Sequence, residues 1–245
     1  MIETPIVIFS NYTLVKNSLD FIPLDSKVLI NTISPNSYGL SVHDKLMDEA
    51  LKGSDFLILD GVYFGLLPLL KCRQRIKRIT GWDSFQYFSQ KMHEKKGKVF
   101  FLGSSDITLQ KIKERYRHDF PDVAIEAYSP PFKAEFTAED NQAIHQVINN
   151  FKPDVLFVGM TAPKQEKWAY QNKEFLDVHV ITTIGNVFDW YAGNTQRPCV
   201  FWQKIGMEWL VRIFLRPEIF KRNIKNQLIF FRDLLLDITK IKKIC

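Results

Sequence analysis

The sequence predicts an α/β protein with a Rossmann-like, mostly parallel sheet that is flanked by helices. The first observation is a series of short apolar runs, such as residues 98–102 and 155–158, in which polar residues do not alternate with apolar ones. Such runs are typical of strands that are covered on both faces. The second observation is that turn residues and then helical segments follow these runs, which is the order that a parallel sheet with helical crossovers requires.

The individual elements follow from the same patterns. The runs that we interpret as strands are residues 5–9, 27–32, 54–59, 98–102, 123–128, 155–158 and 178–183. We predict helices over residues 43–51, 107–118 and 141–150, and helical segments that begin near Asp83 and Lys164. Residues 33–37 have the composition of a turn. Ligands of such sheets bind at the carboxyl ends of the strands, so the turns after the strands are the candidate site.

Length and composition restrict the class of protein. The chain of 245 residues fits one medium domain, or one domain with an appendage. The three cysteines have no metal-binding spacing, and the five histidines are scattered, so we expect no metal site. The amino terminus lacks the pattern of a signal peptide, and no apolar run is long enough to span a bilayer. We therefore expect a cytosolic or peripheral membrane protein.

The positive charge is concentrated near the carboxyl terminus. Residues 201–245 contain ten Lys or Arg and four Asp or Glu, so they carry the whole net charge of +6. From Phe220 onward, apolar residues recur every three or four positions, which predicts an amphipathic helix. This helix either packs on the core or lies on an anionic membrane surface. We expect a body of residues 1–196 and a basic helical appendage of residues 197–245.

The segment from Phe157 to Trp168 connects a buried strand to a helix through a turn with Gly159 and Pro163. Free backbone N–H groups and the positive end of a helix dipole make such a junction suitable for an anion. An ordinary βα loop is the alternative. The residues Phe157-Val158-Gly159-Met160-Thr161-Ala162-Pro163-Lys164-Gln165-Glu166-Lys167-Trp168 closely resemble the central motif of the WecG/TagA/CpsF family of bacterial glycosyltransferases.

Other segments resemble the same family in the same order. These are Asp60-Gly61, the Arg78-to-Asp83 segment, the Gly185-to-Gly193 segment and the Trp202-to-Arg212 segment. The resemblance implies that Asp60 is a general base and that Thr32 and Gln165 belong to the catalytic centre. It implies substrate-binding roles for Gly61, Arg78, Gly103, Ser104, Gly159, Pro163, Lys164, Glu166, Gly185, Asn186, Asp189, Arg212, Arg216 and Arg222.

Some of these positions also have a simpler structural interpretation. In that interpretation, Asp60 is an ordinary turn residue before its glycine, and Arg78 belongs to a solvated basic loop. Asp83 is an N-cap, and Asp189 is a contact within a helix. The single glycine of Gly103-Ser104-Ser105 is weak evidence for a nucleotide site. Asn186 replaces the alanine of the family motif and adds an amide that could face a sugar.

The resemblance implies an inverting, metal-independent glycosyltransferase with no cofactor. Its donor would be a UDP-activated amino sugar, and its acceptor an undecaprenyl-diphosphate-linked sugar destined for a surface polysaccharide. The protein would lie on the inner face of the bacterial membrane, with the arginines of the appendage near the diphosphate. The resemblance leaves a homo-oligomer open.

Two further hypotheses belong to other functional classes. The first is a nucleotide-sugar binding module without transfer activity. The second is a nucleic-acid arm formed by the basic tail, which the apolar residues of the tail disfavour.

Overall fold

A computed structural model describes residues 5–9, 11–60, 65, 76–197, 202 and 217–239, with the side chains of a few of these positions, Arg222 among them, outside the description. It contains an eight-stranded sheet in the order β1-β2-β4-β3-β8-β7-β5-β6. The strands are β1 (Ile6–Phe9), β2 (Tyr12–Val15), β3 (Val28–Ile33), β4 (Phe56–Leu59), β5 (Lys98–Leu102), β6 (Ala124–Tyr128), β7 (Val155–Val158) and β8 (Val180–Thr183).

Only the pairing of β1 with β2 is antiparallel among the described strands. The helices are α1 (Pro35–Ser41), α2 (Lys45–Lys52), α3 (Gly81–Lys95), α4 (Asp106–Asp119), α5 (Ala138–Phe151), α6 (Lys164–Asn172), α7 (Val187–Tyr191) and α8 (Pro217–Ile238), with a 3₁₀ turn over Lys173–Phe175. The predicted α/β class, with its mostly parallel sheet, is confirmed.

Helices cover both faces of the sheet, as the non-alternating strands predicted. On one face, α3, α4 and α7 pack on the strands through a core that includes Phe85, Tyr116 and Phe188. On the other face, α5 and α6 cover the centre of the sheet, with Trp168 in that core. The helices α1, α2 and α8 cover the part of the same face near β3 and β4, where Phe230 is fully buried.

Two local predictions need correction. The segment after β3 is not a turn, because Ser34 caps the helix α1 and Pro35 occupies its first position, where proline needs no N–H partner. The helix after β4 begins with Thr80 as its N-cap, and Asp83 is the third helical residue. Asp83 completes a capping box by accepting a hydrogen bond from the Thr80 backbone at 2.7 Å.

The carboxyl-terminal helix α8 packs closely on α1. A Cβ atom on Gly39 would overlap the backbone of Asn226, so only glycine allows the two helices to approach so closely. Tyr38 donates a hydrogen bond to the fully buried Asp233 at 3.1 Å, and its ring makes an edge contact with Phe230. This helix is therefore part of the described core, and no helix among the described residues meets the length and apolarity needed to cross a bilayer.

We predict that Tyr38→Phe lowers the free energy of unfolding by about 1.5–3 kcal/mol, because the buried Asp233 carboxylate loses a hydrogen bond. The measurement is urea unfolding followed by circular dichroism. The matched control is Tyr87→Phe, which removes a tyrosine–aspartate contact to the exposed Asp20. We expect the control to cost about 0.5 kcal/mol or less. Equal losses in the two variants would contradict the role assigned to Tyr38.

Candidate active site

Five neighbouring parallel strands end at one edge of the sheet, which we call the carboxyl edge. The residues that directly follow β3, β4, β5, β7 and β8 are Ser34, Asp60, Gly103, Gly159 and Ile184, and Ser34 is the N-cap of α1. The ladder of backbone hydrogen bonds continues past the strands, with Asp60 N donating to Ile33 O and Ile184 N donating to Val158 O, each at 2.9 Å. The first residue of each of these two turns is therefore held as firmly as the strand before it.

Asp60 and Thr32 lie on one face of the sheet at this edge. Thr32 is paired with Ile58 in the parallel register of β3 and β4, and side chains alternate along a strand. Thr32, Ile58 and Asp60 therefore lie on the same face. The Asp60 side chain is 44% exposed, so its carboxylate is accessible to a substrate.

Arg78 brings a cation to this carboxylate. Its Nη2 atom lies 3.7 Å from Asp60 Oδ1, which is a Coulombic contact and too long for a hydrogen bond. Arg78 lies two residues before Thr80, the N-cap of α3, and a Cβ atom on Gly81 would lie 3.1 Å from the carbonyl oxygen of Ile184. The amino end of α3 therefore rests on the turn after β8 and directs Arg78 toward Asp60.

Gln165 and Glu166 connect the start of α6 to the same turn. Gln165 Oε1 accepts the Gly185 N–H at 3.1 Å, and Gln165 Nε2 donates to Glu166 Oε1 at 2.9 Å. Gln165 is 4% exposed and Glu166 is 1% exposed. Burial raises the pKa of Glu166 to about 7, and the hydrogen bond from Gln165 opposes that rise.

Two glycines of the predicted site are required by close packing. Gly103 has φ of +118°, and a Cβ atom there would lie 2.6 Å from the carbonyl oxygen of Gly159. A Cβ atom on Gly159 would lie 2.5 Å from the ring of Phe188. Ser104 also has positive φ, and its carbonyl accepts a hydrogen bond from Ser129. The turns after β5 and β7 are thus pressed together and against α7.

Lys164 is engaged away from Asp60. Its ammonium group donates to the carbonyl of Lys133 and lies 3.5 Å from the centroid of the Phe136 ring. Burial lowers the pKa of Lys164. Pro163 is the N-cap of α6, and the peptide bond that precedes it is cis.

Asn186 and Asp189 contact each other rather than the centre of the carboxyl edge. With its amide oriented to satisfy both neighbours, Asn186 donates to Asp189 Oδ2 at 3.2 Å and accepts from Trp190 Nε1 at 2.9 Å. Arg197, for which no motif predicted a role, has its guanidinium 5.2 Å from the Trp82 ring and 5.4 Å from the Trp190 ring. No sequence pattern connects these three residues, because they come from separate elements.

The described ranges do not include three of the predicted site residues, Gly61, Arg212 and Arg216. A fourth, Arg222, lies on α8, but its side chain is not described. Within the described ranges, no group of three or more His, Cys, Asp or Glu residues is arranged to hold a metal ion.

Comparisons with known proteins identify the family of this chain. A protein of Bacillus subtilis (strain 168), named N-acetylglucosaminyldiphosphoundecaprenol N-acetyl-beta-D-mannosaminyltransferase, is 25% identical over 215 residues, which cover 87% of this chain and 82% of the relative. A protein of the same name from Staphylococcus aureus (strain NCTC 8325 / PS 47) is 24% identical over 89% of this chain and 84% of its own. The model of the glycosyl transferase WecG/TagA/CpsF family matches residues 2–243. The chain therefore belongs to the WecG/TagA/CpsF family of glycosyl transferases.

Proposed function

We propose that the protein transfers an N-acetylmannosamine-type sugar from a UDP-sugar donor to an undecaprenyl-diphosphate-linked N-acetylglucosamine, with inversion at the anomeric carbon. The observation that carries the proposal is the exposed Asp60 carboxylate at the carboxyl edge, with Arg78 3.7 Å away. A carboxylate there can accept a proton, and a guanidinium beside it can bind a phosphate or a sugar oxygen.

The relatives support the choice of substrates. Their names specify an undecaprenyl-diphosphate-linked N-acetylglucosamine as the acceptor and N-acetylmannosamine as the transferred sugar. The match covers 82% of the Bacillus subtilis relative. We further propose that UDP carries the donor sugar and that the product enters surface-polysaccharide synthesis.

The proposed reaction is a single displacement. Asp60 takes the proton of the acceptor hydroxyl as its oxygen attacks the anomeric carbon from the side opposite the leaving group. The bond from that carbon to the diphosphate oxygen breaks, and UDP leaves with the electron pair. We propose that Thr32, on the same face as Asp60, orients the acceptor. We propose that Gln165, which bonds to the turn after β8, orients the donor.

The departing diphosphate needs positive charge. Arg78 supplies positive charge at the carboxyl edge, 3.7 Å from Asp60. We propose that Arg212, Arg216 and Arg222 add to it, and that no divalent metal is needed. Guanidinium groups can replace a metal at a developing phosphate charge because their planar donors match its oxygens.

We predict that Asp60→Asn lowers the rate of acceptor-dependent UDP release by about 10²–10⁴-fold, because an amide cannot accept the hydroxyl proton. The assay uses a panel of UDP-sugars, a short-chain polyprenyl-diphosphate-linked N-acetylglucosamine, and EDTA in a parallel series. Asp122→Asn, an exposed aspartate before β6 at the opposite edge of the sheet, is the control and should keep the wild-type rate.

Undiminished turnover in Asp60→Asn would reject its role as the base. Binding of UDP without release from any donor would instead favour the binding-module hypothesis.

The outer surface of α8 supports a location on a membrane. The apolar periodicity grouped Ile224, Leu228, Phe231, Leu235 and Ile238. Three of these side chains, Leu228, Phe231 and Leu235, are 59%, 38% and 62% exposed, and we call them the exposed stripe. Phe230 and Leu234, on another face of the helix, are buried instead. The helical period places the exposed residues Lys221, Lys225 and Arg232 beside the stripe.

One helix therefore combines both interpretations of the tail. Its inner face packs on α1, and its outer face has the apolar and basic composition of an interfacial helix. We propose that the exposed stripe lies in the headgroup region of an anionic membrane, and that the enzyme is peripheral on the inner face of the bacterial membrane. Each basic residue near an anionic surface adds about 1 kcal/mol to such binding.

We predict that the double variant Leu228→Ser/Leu235→Ser binds phosphatidylglycerol-containing vesicles roughly a hundredfold more weakly, because two leucines no longer leave water on binding. Cosedimentation with vesicles measures the change. The control is Ile107→Ser, which removes an apolar side chain that is 71% exposed on α4.

The double variant should keep its unfolding temperature because neither leucine belongs to the core. Vesicle binding equal to that of the wild type would exclude the exposed stripe as the membrane contact.

A further inference from the structure

Glu166 is an unusual residue for the inner face of a helix. It lies in the first turn of α6, it is 1% exposed, and one of its carboxyl oxygens, Oε2, is buried without a hydrogen-bond partner in the described structure. Burying a carboxyl group costs free energy that an apolar side chain would not cost. A residue that only filled this space would be better replaced by leucine, so the carboxyl group requires another explanation.

The bonded oxygen of Glu166 determines how the Gln165 amide is turned. Gln165 Nε2 donates to Glu166 Oε1, while Gln165 Oε1 accepts from Gly185 N. Turning the amide by 180° would place its NH₂ group against the Gly185 N–H and its carbonyl against the carboxylate. Both of those contacts would be repulsive, so the two neighbours select one orientation.

Gly185 transmits this orientation to the carboxyl edge. It has φ of +53°, a conformation that glycine adopts without steric cost, and it connects β8 to α7. The preceding residue, Ile184, contacts Gly81, which is the first residue of α3 and follows Arg78 by three positions. The Gln165 amide therefore anchors the turn on which the Arg78 segment rests.

We propose that Glu166 is a positioning residue that acts through Gln165, holding its amide in the orientation that fixes Gly185 and the turn after β8. The kinetic part of this inference rests on the proposed function. The contact between Glu166, Gln165 and Gly185 is present without any substrate, so its structural part can be tested separately.

Among the described side chains around Glu166, Gln165 is the one that donates a hydrogen bond to it. The helix α2 packs against α6, and its N-cap residue, Asp44, forms an ion pair with Lys167 at 2.6 Å. The strands beneath α6 present uncharged side chains on this face, namely Leu29, Asn31, Ile33, Leu156, Val158, Ile181 and Thr183. Asn31 and Thr183 bond to each other at 2.8 Å. The charge state of Glu166 therefore acts chiefly on the Gln165 amide.

A cycle of variants tests the kinetic part. We expect Glu166→Leu to lower kcat by on the order of tenfold to a hundredfold, since loss of orientation at a site has effects of this size. In a Gln165→Ala background the same substitution should have no further effect, because the residue through which Glu166 acts is gone. Glu166→Gln keeps an oxygen acceptor and should recover most of the turnover that Glu166→Leu loses.

The control for this cycle is Glu174→Gln, an acid whose side chain is 71% exposed. It should leave kcat unchanged. Independent losses that multiply in the double variant, or no recovery in Glu166→Gln, would overturn the proposal.

A spectroscopic measurement tests the structural part without substrates. In protein labelled with ¹⁵N-glycine, we expect the Gly185 amide signal to move with pH with a midpoint near 7, where burial places the pKa of Glu166. The movement should vanish in Glu166→Gln and in Gln165→Ala. A Gly185 signal that is insensitive to pH and to both substitutions would overturn the relay, whatever the assays of turnover show.

The same buried carboxyl group predicts how stability depends on pH. Because its pKa rises from 4.5 in the unfolded chain to about 7 in the folded protein, the folded state binds more protons between these values. Wild-type stability should therefore fall as pH rises through this range. Glu166→Gln should avoid that loss, so its melting temperature relative to wild type should be about 5 °C higher at pH 8 than at pH 4.5. A difference that is independent of pH would show that Glu166 is not desolvated.

Discussion

The hydrogen bonds that continue the parallel ladder past the ends of the strands are the constraint on which the candidate site depends. They hold Asp60 to β3, Gly159 to β5 and Ile184 to β7, each at 2.9 Å. A turn anchored in this way has little freedom, so its side chains keep the direction that the strand gives them. The acid of one turn, the glycines of two others and the amino ends of α3 and α6 thereby meet at one edge.

Much of this arrangement could be predicted from the sequence because buried parallel strands have a strong local pattern. The runs that end at Leu59, Leu102 and Val158 are apolar without alternation, and turn residues follow each of them. A sequence prediction was wrong where one local composition suits two different structures. Ser34 and Pro35 suit a turn, but they suit the start of a helix equally well, and the helix α1 that they start packs against α8.

The contacts made by the functional side chains could not be predicted in the same way. The motif made Gln165 and Glu166 conspicuous, but nothing local shows that they bond to each other and to Gly185. The same holds for Asn186, whose amide is directed to Asp189 and Trp190. Such pairings depend on how α6 and α7 approach β8, which is a property of the packed core rather than of any segment. Sequence patterns locate the turns, and packing decides which side chains in them meet.

The carboxyl-terminal helix has two faces with different surroundings. Its inner face is fixed by the contact of Gly39 with Asn226 and by the bond from Tyr38 to the buried Asp233. The helix that receives it, α1, begins at the residue after Ser34, and Ser34 itself follows β3, the strand that carries Thr32. The outer face of α8 is therefore separated from the face that carries Thr32 and Asp60 by α1 and by the sheet itself. In the membrane orientation proposed for α8, lipid contact would act on the carboxyl edge through α1 and β3, because side chains of all three elements share one core.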